Sequence, residues 1–348
     1  MKDISYRLQK RNPCATLIAN KMPEDREMKK GKKRVITIVA AVLAFLIVSG
    51  VAGLFVAAKV VYDKSFGYRC TTSPGDTFIM AQFPGLNRQR HTFRSNQGQE
   101  LVGYLYNRSQ RQTLTKGVIV FAHGLGGGGQ TGYMDIFDHF TKQGFCVFAY
   151  DATGNDESEG KVIGGLPQGY IDLDHAIDYV GTLEEVQGLP VLLMGYSWGG
   201  LSVANVLNYH PEVKAVVAVA GCNRTLDLIE YQGRERAGKA AKLLMPFAAA
   251  YEWMKYGRYA GSTAMDGFAN SNCDVMIIHG ARDTVVPISC GYDTYFENYG
   301  QDPRFTFKKF NIRGHAVLNY TNGNRDFTLL DDIVRFFDKS ICPKDVSE

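Results

Sequence analysis

Gly195-Tyr196-Ser197-Trp198-Gly199 follows a short apolar run, Val191-Leu192-Leu193-Met194, bounded by Pro190. It precedes Gly200 to Leu207, whose apolar residues recur at helical spacing. The first run predicts a buried strand and the second a helix. Gly-x-Ser-x-Gly between a strand and a helix forms a turn so tight that the serine hydroxyl stands clear of the backbone. The glycines are needed because side chains there would strike the neighbouring strand and helix. Without that context, the same five residues read equally well as a glycine-rich loop with a solvated serine.

The rest of the chain supplies the context. Gln99 to Tyr106 predicts a strand of an early antiparallel pair. Residues 117–122, 145–150, 213–219, 275–278 and 305–310 predict further strands. Helical spacing marks Met134 to Lys142, Gly169 to Val180 and Asp326 to Asp338. Strands alternating with helices of this length imply an α/β class: a mostly parallel sheet covered by helices on both faces. Between Gly221 and Asp274 the rhythm breaks into a helical stretch rich in Tyr, Met, Phe and Ala. It is far longer than a loop of about 2–6 residues. It predicts a helical cap over the carboxyl ends of the strands, with a purely structural subdomain as the alternative.

Charge is unevenly placed. The chain carries +4, yet residues 1–34 hold eleven Lys/Arg and four Asp/Glu, which is +7, leaving −3 for the remainder. A basic tail on a slightly acidic body is not a nucleic-acid footprint; it reads as membrane topology. Val35 to Ala58 is uninterrupted and uncharged, long enough at ~1.5 Å per residue to cross about 30 Å of hydrocarbon. The run exceeds the ~7–15 apolar residues of a signal peptide, which favours an uncleaved anchor over a cleaved leader. The expected localisation is a single-pass cell-membrane protein with its N-terminus cytoplasmic. The expected organisation is 1–34 a mostly disordered basic tail, 35–58 a transmembrane helix and 59–75 a linker. The globular part divides into 76–222 core, 223–274 cap and 275–342 core. Six of the seven cysteines lie beyond the anchor, but their spacing pairs none of them.

Three further motifs sit at strand ends. His123-Gly124-Leu125-Gly126-Gly127-Gly128-Gly129 follows strand 117–122. It fits Gly-x-Gly-x-x-Gly, with Asp151 near the place of a ribose-binding acid, so a dinucleotide site is one reading. The other is a loop whose backbone N–H groups turn toward a developing negative charge. Asp283 follows strand 275–278 in His279-Gly280-Ala281-Arg282-Asp283-Thr284-Val285-Val286-Pro287. His315 follows strand 305–310 in Arg313-Gly314-His315. Each alone has a bland reading: a loop carboxylate, a structural histidine. Ser, then Asp, then His, each just past a different strand, is the chain order of one known hydrolytic constellation.

On these residues, the region from about 90 to 340 resembles the α/β-hydrolase superfamily. It is most similar to the bacterial serine-hydrolase branch that includes monoacylglycerol-lipase-like and serine-aminopeptidase-like proteins. Asp151-Ala152-Thr153-Gly154-Asn155-Asp156-Glu157-Ser158 occupies the place of the family's Asp-x-x-Gly-x-Gly-x-Ser turn, with Asp156 replacing its second glycine. The resemblance implies Ser197 as nucleophile, His315 as base and Asp283 as its orienting acid. It also implies an oxyanion hole from the backbone N–H groups of Leu125 and Trp198. No metal and no cofactor are expected, and the substrate is a small acyl or peptidyl molecule. The favoured activity is ester hydrolysis. A peptidase or acyltransferase with the same residues is the alternative, with Glu230, Glu235 or Glu252 as candidates to hold a substrate amine. An idle fold serving as a surface binding module is more remote.

Overall fold

The computed structural model describes residues 23–108, 115–126 and 129–342. The chain divides after Gly53 into two compact units. Helix α1 (Pro23–Phe66) runs through both. Residues 35–53 of it are solvent-exposed and largely apolar, and α1 is long and apolar enough to cross a membrane, its most apolar stretch of 18 residues having a mean hydropathy of 2.8. Residues 23–34, expected as disordered tail, are helical instead. Pro23 suits a first helical position, the following Glu, Lys and Met residues are good helix formers, and the apolar run beyond propagates the helix backwards. Residues 1–22 lie outside the described residues.

The second unit opens on the last turns of α1. Ala58, Tyr62 and Phe66 recur every four residues and are buried, so one stripe of the helix packs inward. The expected linker is therefore helical as far as Phe66. Beyond it, Gly164 N–H donates to Phe66 O at 3.0 Å and Ile163 N–H to Tyr68 O at 2.9 Å. Cys70 N–H donates to Gly154 O at 2.9 Å. These bonds fasten residues 66–70 along the loop 154–164 in place of a free tether.

An eight-stranded sheet forms the centre, in the order β1-β2-β4-β3-β5-β6-β7-β8. The strands are β1 (Asn87–Arg94), β2 (Glu100–Asn107), β3 (Val118–Ala122), β4 (Cys146–Tyr150), β5 (Val191–Tyr196), β6 (Ala215–Val219), β7 (Asp274–Gly280) and β8 (Phe305–Phe310). β1, β2 and β4 pair antiparallel; every pairing from β4 to β8 is parallel. The central strands are apolar on both sides because both faces are covered. Val118 and Val120 join one hydrophobic cluster, and Ile119 and Phe121 the other. α2 (Met134–Lys142) and α9 (Phe327–Ile341) cover the second face. α3 (Pro167–Val180) and α4 (Trp198–Asn205) cover the first.

Between β6 and β7 lie α5 (Thr225–Ala237), α6 (Ala241–Tyr256) and α7 (Ala264–Asn270). Only α5 and α6 stand apart from the sheet layers. α7 belongs to the core: a Cβ on Gly267 would meet Ala204 O at 2.7 Å, and Phe268 packs edge-on against Tyr295 and Phe305. Gln232 Nε2 on α5 donates to Val285 O at 2.8 Å, which sets α5 beside the carboxyl end of β7. One further helix, α8 (Tyr292–Tyr299), was not expected, although its aromatic residues Tyr292, Tyr295, Phe296 and Tyr299 recur at helical spacing.

Candidate active site

β5 runs straight into α4 through Ser197. Its backbone has φ +57°, ψ −112°, a conformation few non-glycine residues adopt. The surroundings hold it there. Ser197 N–H donates to Val219 O at 2.8 Å, and Ser197 O accepts from Leu201 N–H at 2.9 Å. A Cβ on Gly195 would collide with the Gly199 carbonyl, and one on Gly199 with the Ala122 carbonyl. The glycines thus let strand, turn and helix close on one another, as the sequence pattern requires.

Ser197, Asp283 and His315 are brought together although 118 residues separate the first and last. His315 Nε2 lies 2.8 Å from Ser197 Oγ. His315 Nδ1 lies 2.7 Å from Asp283 Oδ2. A proton on Nδ1 donated to the carboxylate leaves Nε2 free to accept from the serine hydroxyl. The other carboxylate oxygen of Asp283 accepts from Val285 N–H and Val286 N–H, both at 2.9 Å. His279 Nε2 lies 3.4 Å from Asp283 Oδ2 and 2.9 Å from Val286 O. Burial pushes the Asp283 carboxyl up, but the hydrogen bonds from His279 and His315, the His315 charge and the Val286 N–H outweigh it. The carboxyl sits well below its usual range and is ionised at neutral pH.

The loops carrying the acid and the histidine are stitched to each other. Arg282 N–H donates to Arg313 O at 3.0 Å, and Ala281 N–H to Phe310 O at 2.9 Å. Gly280 allows this approach, because a Cβ there would meet the Gly314 and Arg313 carbonyls. Arg313 is pinned by Asp326 at 2.6 Å and donates to Val317 O at 2.9 Å. Tyr196 O–H donates to His315 O at 3.1 Å, and its ring lies 5.3 Å from the imidazole. Neither Tyr196 nor Arg313 was expected in a supporting role. Tyr196 stands next to Ser197 in sequence, which is the one signal it offered.

The remaining expected positions lie at the same sheet edge. Trp198 opens α4, so its N–H has no partner within the helix. Leu125 lies two residues beyond His123 in the turn after β3, where Ala122 pairs with Gly195. His123 shapes that turn: Nδ1 lies 2.8 Å from Gly124 O, and Nε2 accepts from Ala152 N–H at 3.0 Å. Burial lowers its pKa and keeps the ring neutral, as both bonds require. Asp151 does not present a carboxylate for a ribose. It is buried and accepts from Gln130 N–H at 2.9 Å and Glu157 N–H at 3.3 Å. Burial pushes its pKa up to about 7. Asp156, at φ +34°, accepts from Thr72 N–H and Oγ1–H at 2.6 Å each and from Gly129 N–H at 3.1 Å. The residue that departs from the family turn thus ties the glycine loop to residue 72. Residues 127 and 128 lie outside the described residues.

The three candidate amine holders separate. Glu235 is exposed and Glu230 half-buried. Glu252 is wholly buried, with one oxygen accepting from Tyr62 O–H at 2.7 Å and the other from Thr225 Oγ1–H at 2.8 Å. Burial pushes its pKa up to about 7, against those hydrogen bonds. A cavity of about 580 Å³ opens beside Tyr133, Asp135, Asn319 and Arg325, but none of Ser197, Asp283 and His315 lines it.

Residues 113–246 match the family model described as serine aminopeptidase, S33. No curated protein matches. An esterase of Pyrococcus furiosus superposes with a TM-score of 0.57 at 16% identity, over 78% of this chain and 98% of that one. An acetyl xylan esterase from Paenibacillus sp. R4 gives 0.57 at 15%, over 76% and 87%. An acylaminoacyl peptidase of Pyrococcus horikoshii gives 0.56 at 14%, over 78% of this chain and 44% of that one. At such identities the likeness shows the fold. Fold and family match together place the chain in the α/β-hydrolase superfamily. Within it, the chain is an α/β-fold serine hydrolase.

Proposed function

We propose that this chain is a membrane-anchored serine esterase that cleaves carboxylic esters through Ser197, His315 and Asp283. The observation that carries the reading is the unbroken relay from Ser197 Oγ through both ring nitrogens of His315 to the ionised Asp283. A serine hydroxyl is a weak nucleophile at neutral pH. As Ser197 Oγ attacks the carbonyl carbon, His315 Nε2 takes its proton. Asp283 holds the ring in the Nδ1–H tautomer and stabilises the imidazolium. The N–H groups of Trp198 and Leu125 receive the oxyanion, each contributing about 3 kcal/mol or more to lowering the barrier. Collapse expels the alcohol, which takes the proton from His315. Water then attacks the acyl-enzyme by the same route and restores the serine.

The +7 charge of residues 1–34 supports a cytoplasmic N-terminus. The catalytic unit then lies outside, held by Val35 to Ala58. The family model's description favours a second reading, a peptidase with the same triad. Against it, Glu252 is wholly buried, accepting from Tyr62 and Thr225, and exposes no oxygen to a substrate amine. The test is the full chain in detergent, assayed on graded p-nitrophenyl esters and on aminoacyl anilides. Turnover of esters, lost in Ser197→Ala together with fluorophosphonate labelling, is expected. Activity on anilides alone would establish the peptidase, and labelling that persists in Ser197→Ala would remove the nucleophile.

A further inference from the structure

Helix α6 is built inside out. Amphipathic helices ordinarily turn charge to water and apolar residues to the core. Between Leu243 and Met254 the one charged residue is Glu252, and it is the wholly buried one. The opposite face carries Leu243, Pro246, Ala250, Trp253 and Met254, all exposed. Leu243, Trp253 and Met254 are 60%, 68% and 67% exposed. Between Leu243 and Met254 no polar residue interrupts this face, and such a face marks an interaction surface.

The neighbour of α6 indicates what covers that face. The Phe55 ring lies 6.3 Å edge-on from Tyr251 of α6, and Phe55 belongs to the apolar run Val35 to Ala58. Just past the end of that run, Lys59 Nζ stands 5.3 Å over the same Tyr251 ring, and Tyr251 O–H donates to Asp63 Oδ1 at 2.7 Å. Tyr251 thus bridges the last turn of the apolar run and the charged turn that follows it, as an aromatic residue at a membrane boundary does. Lys242 is exposed at the start of α6. At its end Lys255 lies half-buried, its Nζ donating to Gly164 O. Cations flanking an apolar helix face suit a helix lying in the interfacial layer.

We propose that the outer face of α6 lies in the interfacial layer of the bilayer that the apolar run enters, with Trp253 and Met254 among the upper acyl segments. The inference rests on the anchor reading above. It makes the cap a membrane-contacting surface and favours esters that reside in the bilayer, whose acyl chains reach the site without crossing water.

The full chain is reconstituted into phosphatidylcholine–phosphatidylglycerol vesicles. The other tryptophan, Trp198, is buried, so wild type minus Trp253→Phe isolates the Trp253 fluorescence. Lipids brominated on the upper acyl chain are expected to quench it about twofold or more, and aqueous iodide to leave it unchanged. Quenching by iodide but not by brominated lipid means that the face meets water, and overturns the proposal. Protection from both means that protein covers it, a second copy of the chain included, and also overturns it. An alkaline wash separates the two readings: a chain that washes off refutes the anchor and this inference together, whereas a retained chain with an iodide-accessible Trp253 refutes this inference alone. In a second arm, Leu243→Glu with Met254→Glu is expected to slow hydrolysis of a long-chain ester in the vesicles about tenfold, leaving a water-soluble acetate ester within about twofold. Equal rates on both substrates overturn the proposal.

Discussion

The Asp283 carboxylate reaches His315 Nδ1 with one oxygen, at 2.7 Å, and gives the other to two backbone N–H groups of its own loop. Its orientation is therefore set before the histidine arrives. Asp283→Asn keeps the shape but can offer an amide N–H where the imidazole needs an acceptor. Turnover is expected to fall by roughly 10³–10⁴-fold, with the fold retained. Ester hydrolysis measured beside a thermal melt separates the two effects.

Gly199→Ala forces a β carbon against the Ala122 carbonyl, where backbone faces backbone and neither can yield. A loss of about 3 kcal/mol or more is expected, with activity lost as the elbow opens. Gly75→Ala, at a position with open space around it, is the control and is expected to stay within about 0.5 kcal/mol. Denaturant melts of both variants provide the comparison.

Asp156→Gly sets two effects against each other. Glycine adopts φ +34° without strain, but the hydrogen bonds to Thr72 and Gly129 are lost. Three such bonds to a carboxylate outweigh one relaxed residue, so the variant is expected to be less stable by about 1–3 kcal/mol. Loosening the loop that carries Leu125 is expected to lower kcat more than it raises KM. A change in KM alone would mean that the bonds serve only to hold residue 72.

His210 supplies a pH signature away from the site. Burial lowers its pKa, but the bonds to Asp174 at 2.7 Å and Glu212 at 2.8 Å raise it to about 9. A folded pKa above the unfolded value contributes stability that is complete below about 6.5. That stability is lost as pH rises toward 9, by at most about 1.4 kcal/mol per pH unit. His210→Gln is expected to be less stable at pH 6 and to lack this slope in melts between pH 6 and 9.

Glu252 acts with the opposite chemistry in a lower window. Burial raises this acid from 4.5 to about 7, so between those values the folded state holds a proton that the unfolded state releases. Stability therefore falls as pH rises through the window. Glu252→Gln keeps hydrogen-bonding capacity toward Tyr62 and Thr225 and is expected to remove the fall. A melt series that keeps its slope in the variant would assign the effect to another group.

The elbow, the sheet and the order of Ser197, Asp283 and His315 were legible because each depends on local chemistry: glycine where backbones touch, apolar runs where a strand is covered on both faces. The partners of Glu252 were not legible. A glutamate on a helix ordinarily faces water, and only the hydroxyls of Thr225 and of Tyr62, the latter 190 residues earlier, make its burial tolerable. Tyr196 and Arg313 escaped for the same reason, since their value lies in the His315 carbonyl and Asp326 that the fold brings to them. The expected linker failed because its residues carry no strand or helix signal of their own beyond Phe66. Their order comes from hydrogen bonds to loop 154–164.

That last difference bears on where such an enzyme can work. A free segment of residues 59–75 would let the site range over roughly 55 Å when extended. Fastened as they are from Ala58 to Thr72, residues 59–72 form no such tether. Under the anchor reading, encounters are then governed by lateral diffusion in a plane, and rates should scale with substrate per unit of bilayer area rather than per unit of volume.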